Sequence, residues 1–81
     1  MNLKTELLLS RLGLLHQYRY IVEQIKLRND CGENEYTWKI SSMDVNLYDN
    51  VGFICDELKD NGIEIYSDLV YEEYRSIKFT W

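Results

Sequence analysis

Residues 46–62 read NLYDNVGFICDELKDNG, and the way they fold decides the architecture. Leu47, Val51, Ile54, Cys55 and Leu58 recur at helical spacing, with Asp49, Asp56 and Asp60 almost directly opposite. Asp44 or Asn46 can cap the start of this helix, and Gly62 can stop it. Outside it the period changes to two. Tyr36, Trp38 and Ile40 alternate with Thr37, Lys39 and Ser41 before it, and Ile77, Phe79 and Trp81 alternate with Ser76, Lys78 and Thr80 after it. Ile63, Glu64 and Ile65 open a further strand that runs toward Tyr71 and turns near Glu72 and Glu73. The segment Asp68–Glu73 has a second reading as a short helical turn, because its apolar residues do not alternate strictly.

Upstream, the chain from about Leu3 to Asn29 reads as one long helix. Leu3, Leu7, Leu8, Leu14, Leu15, Tyr18, Ile21, Val22 and Ile25 share one broad sector, and Gly13 is its costliest interior residue. Leu9, Tyr20 and Leu27 form a thinner apolar line on nearly the opposite side, passing close to Gly13; another element packs there, or it is a seam for self-association. Asn29–Asn34 is a turn-rich break. The expected fold is α+β in the order α-β-α-β-β: a long N-terminal helix, a second amphipathic helix and a three-stranded antiparallel sheet with the helices on one face. An 81-residue chain supports one domain, 1–81, with a single core.

Catalytic equipment is sparse. His16 is the only histidine, which excludes a multi-histidine metal site and leaves a Ser-His-Asp arrangement no spare base. The glycines at 13, 32, 52 and 62 form no phosphate loop. Asp44, Asn46, Asp49 and Asn50 lack the spacing, central glycine and final glutamate of a calcium loop. Cys31 and Cys55 have no CxxC spacing. The expectation is a non-enzymatic protein with no metal and no cofactor. No stretch reaches the roughly 18 to 20 apolar residues of a membrane span, and no secretory leader is recognisable, so the expected setting is cytoplasmic.

Charge is the informative feature. Between Asp44 and Glu73 nine acids face the single base Lys59, a net of minus eight in a chain whose net charge is minus five. Direct nucleic-acid binding needs lysines and arginines gathered on one face, so this asymmetry points to a basic protein surface instead. The expected partner-binding residues are Asp49, Phe53, Asp56, Glu57, Asp60, Glu64, Asp68, Glu72 and Glu73. Phe53 lies about 40° from Asp49 on the helical wheel, as an aromatic anchor within an acidic rim would.

Asp49 to Asp60 spans about 16 Å of helix, too sparse alone to imitate a duplex with one charge per roughly 1.7 Å. The acids of the later strands would have to share that face to form a DNA mimic. In size, acidity and missing catalytic motifs the chain is similar to the small inhibitors that phages carry against host restriction and CRISPR nucleases. That likeness implies an inhibitor docking on a nucleic-acid-handling protein. The competing expectation is a structural or adaptor module that dimerises through Leu9, Tyr20 and Leu27.

Overall fold

The computed structural model describes residues 2–81 and orders them as α1 (Leu3–Arg11), α2 (Leu15–Asp30), β1 (Glu35–Ser41), α3 (Val45–Asp60), β2 (Glu64–Val70) and β3 (Tyr74–Thr80). The strands form one antiparallel sheet in the order β1-β3-β2, so the last strand in sequence is the central one. Trp38, Ile40, Ile77 and Phe79 are buried on one sheet face, while Thr37, Lys39 and Ser41 between them are exposed. The helices cover the buried face, and the shortest dimension of the molecule, 17 Å, is that of two layers.

The expected long N-terminal helix is two helices. Asn2 caps α1 by accepting the Thr5 amide at 2.8 Å. At the other end the Leu14 N–H donates to the Leu9 carbonyl at 2.8 Å and the Gly13 N–H to Ser10 at 3.0 Å, a Schellman ending with Gly13 at φ +74°. A side chain at that φ is strained, so the glycine that seemed a costly interior residue is a stop signal. The amide of Asn46 donates to the Leu12 carbonyl at 2.8 Å and ties this turn to the start of α3.

The break redirects α1. Leu9 becomes fully buried, whereas Leu3 and Leu7, expected in the core stripe, are exposed. Beyond the break the expected stripe holds: Leu14, Tyr18, Ile21 and Ile25 are buried and Leu15 and Val22 pack against them. Helix α3 buries Leu47, Val51, Ile54, Cys55 and Leu58 as its periodicity dictates, capped by position at Asp44. The Asp68–Glu73 segment takes its strand reading: Asp68 to Val70 belong to β2, and the Tyr71 N–H donates to the Tyr74 carbonyl at 2.8 Å to close the hairpin.

Two glycines test this account in opposite directions. Gly13→Ala is expected to destabilise the fold by about 1 to 2 kcal/mol, the cost of a left-handed residue with a Cβ. Gly52→Ala, inside α3 with nothing within 4 Å of the added Cβ, is expected to stabilise it by about 0.5 to 1 kcal/mol. Urea unfolding of both variants measures the contrast.

Candidate partner-binding site

The eight acids singled out by sequence do not converge. Asp49, Asp56 and Asp60 are exposed on the outward side of α3, away from its buried stripe, and among the described residues none of them forms an ion pair or side-chain hydrogen bond. Phe53 stands among them and is 44 % exposed. The final strands lie on the other side of α3 and leave its ring uncovered. This face is therefore a line of unneutralised carboxylates around one aromatic ring.

Glu57 departs from that line. It is only 7 % exposed, and the Asn61 amide donates to its Oε1 at 3.2 Å and to its backbone carbonyl at 2.8 Å. Tyr18 of α2 is close enough to feel its charge: burial pushes the Tyr18 hydroxyl pKa up, and the Glu57 carboxylate adds to the shift. Glu57 belongs to the α2–α3 packing and is withdrawn from any docking surface.

Asp68 is also spoken for. It sits in β2 and accepts from Arg75 Nε at 2.8 Å and Nη2 at 2.5 Å, a two-point pair across the hairpin. The hydrogen bond to Arg75 holds the Asp68 carboxyl below the usual carboxylate range against a smaller opposing effect of burial. Arg75 was overlooked in the sequence reading, although a hairpin centred on Glu72 and Glu73 already places it one diagonal step from Asp68.

Glu64 alternates with the inward Ile65 and pairs in register with Thr80, which places it on the open face of the sheet, opposite the helices. Glu72 and Glu73 are exposed in the β2–β3 turn, next to the start of α3. The nine expected contact residues thus divide into an α3 face (Asp49, Phe53, Asp56, Asp60), a turn (Glu72, Glu73), an isolated sheet position (Glu64) and two internally engaged acids (Glu57, Asp68). The self-association line is dissolved as well. Leu9 is in the core, and only Tyr20 and Leu27 remain exposed.

Surface depressions of about 460, 430 and 210 Å³ are lined by other residues, among them Arg28 and Tyr36, Lys59 and Ile63, and Tyr18 and Val22. Asp49, Phe53, Asp56 and Asp60 line none of these three depressions. Among the described residues no three or more His, Cys, Asp and Glu gather as a metal would require. Burial pushes the Cys55 thiol up to about 11, which makes it a poor nucleophile, and Cys31 is exposed at the end of α2. No described helix is long and apolar enough to cross a membrane. Compared with known proteins, the chain matches no protein family, no curated protein and no solved structure.

The Asp68–Arg75 pair gives a pH-dependent prediction. A carboxyl depressed in the folded state stabilises above its unfolded pKa, near 3.9, and that contribution is lost as pH falls through the folded value. Asp68→Asn is expected to lower stability by less than about 1 kcal/mol at neutral pH. The difference from the parent protein is expected to persist down to roughly pH 4 and to disappear only as pH falls further, through the depressed folded-state value, as read by denaturant unfolding across pH.

Proposed function

We propose that the chain is a non-enzymatic, protein-binding inhibitor that docks the outward face of α3 on a basic surface of a nucleic-acid-handling protein. One observation carries this reading: Asp49, Asp56 and Asp60 line one outward helix face around the half-exposed Phe53, with no ion pair to them among the described residues. Unpaired carboxylates steer association with a cationic surface and repel wrong partners, while a central aromatic supplies contact area. The scatter of Glu57, Glu64 and Asp68 counts against imitation of a DNA duplex, so the mode is an aromatic anchor with an electrostatic rim. Host-defence evasion by a phage-type inhibitor, acting in the cytoplasm, is the setting that fits this chemistry and the two free thiols.

The test is capture from nuclease-treated bacterial lysate with the chain as bait, at low and high salt. A nucleic-acid-binding protein is expected to be retained at low salt and released at high salt. Asp49→Lys, Asp56→Lys and Asp60→Lys together are expected to weaken retention by about tenfold or more without unfolding the bait. Undiminished capture by the folded triple variant would overturn the reading.

A further inference from the structure

Strand β2 is an edge of the sheet, and no strand among the described residues pairs with its outer side. The Tyr71 N–H donates to the Tyr74 carbonyl at 2.8 Å. Antiparallel ladders alternate, so Leu69 bonds inward to β3, while the N–H and C=O groups of Asp68 and Val70 point outward. Sheet edges are ordinarily blunted by a lysine, a proline or a bulge. A bulge between Ile65 and Ser67 disrupts the first half of β2, and β1, the opposite edge, carries Lys39. The stretch Ser67–Tyr71 has none of these devices and is an open template for another strand.

Both faces of this stretch are open as well. The register puts Leu69 and Tyr71 on the sheet face away from the helices and Asp68 and Val70 on the helix side. Leu69 is 50 % exposed and Val70 65 %. Tyr48 and Cys55 of α3 lie near enough to Arg75 to act on its charge, and Gly52 falls between them on the same line of the helix. A Cβ added at Gly52 would meet nothing within 4 Å. Helix α3 therefore leaves space beside Arg75 and its register partner Val70.

Charge and symmetry select the occupant. Asp68, the one charged residue of Ser67–Tyr71, is already neutralised by Arg75, so the edge offers no charge for a basic or an acidic foreign strand to match. Paired antiparallel with itself about Leu69, the stretch is self-complementary: Leu69 meets Leu69, Asp68 meets Val70, and Ser67 meets Tyr71, with no acid opposite an acid. Asp68 and Val70, whose backbone groups are free, then bond to each other across the seam. Centring on Asp68 would oppose Asp68 to itself, and centring on Val70 would oppose it to Glu72.

We infer that the chain forms a two-fold dimer through β2, with Ser67–Tyr71 of two copies paired antiparallel about Leu69, so that the two sheets become one. The two-fold axis runs normal to the sheet and keeps both helix layers on the same side. This seam is separate from the Asp49–Asp60 line of α3 and does not depend on what that line binds.

Sedimentation of the full chain is expected to show a monomer–dimer equilibrium between roughly micromolar and millimolar concentration. Leu69→Lys, which sets two ammonium groups against each other at the centre of the seam, is expected to raise the dissociation constant about tenfold or more and to leave the circular dichroism of the folded chain unchanged. A cysteine pair reads the register itself. Opposed residues of a non-hydrogen-bonded pair hold their Cα atoms about 4.5 Å apart, within disulfide reach. In a Cys31→Ser background, mild oxidation is expected to cross-link the Leu69→Cys variant and not the Ser76→Cys variant, whose site lies one strand further in. The Asp49→Lys, Asp56→Lys, Asp60→Lys variant is expected to dimerise as the parent does, which separates the seam from the α3 face. A monomer throughout this range, a dimer indifferent to Leu69→Lys, or equal cross-linking of the two cysteine variants would each overturn the inference. A monomer whose Asp68 and Val70 amides shift on adding an extended foreign peptide would overturn it in favour of a foreign strand.

Discussion

The rotational setting of α3 is the constraint from which the rest of the surface follows. Leu47, Val51, Ile54 and Leu58 can leave water only by facing the sheet, where Ile40, Ile77 and Phe79 are fully or almost fully buried. Each such side chain contributes about 1.5 to 3 kcal/mol on burial, so a turn of the helix about its axis would forfeit more than any surface interaction could return. With the stripe fixed inward, residues half a turn away are fixed outward. Asp49, Phe53, Asp56 and Asp60 are exposed for that reason, and their exposure requires no interaction of their own.

The same sheet needs helices of limited length to cover it. A single rod from Leu3 to Asn29 would carry Leu9 to the solvent side, whereas the Schellman turn at Gly13 lets α1 leave the line of α2 and bury Leu9. The turn is satisfied from outside its own helix, because Asn46 donates to the Leu12 carbonyl. One residue at the start of α3 therefore fastens the N-terminal helices to the element that bears the acidic face. The α2–α3 side is closed by Tyr18, Glu57 and Asn61, which removes one acid from the surface altogether.

Elements with a strong period were legible in the sequence. The α3 stripe, the alternation in β1 and β3 and the turn near Glu72 and Glu73 all took the expected form, and with them the α+β class. Gly13 was read as a tolerated interior residue because the apolar pattern is helical on both sides of it. Only the direction of the chain after it, a tertiary matter, distinguishes a stop from a passing cost. Glu57 stood at the margin of the α3 stripe, where the helical wheel alone does not say whether a neighbouring helix will cover it. The spread of Glu64, Asp68, Glu72 and Glu73 over different faces depends on strand register and on the bulge between Ile65 and Ser67, neither of which charge counting registers.

Asp56 and Glu57 are adjacent in sequence and opposite in setting, so reversing each charge singly tests the account most directly. Asp56→Lys is expected to leave urea unfolding within about 0.5 kcal/mol of the parent and to weaken salt-sensitive capture of a basic partner. Glu57→Lys is expected to lose about 3 kcal/mol or more of stability, as a buried charge placed among apolar neighbours does. Equal stability of the two variants would contradict the orientation of α3 and, with it, the assignment of its acidic face.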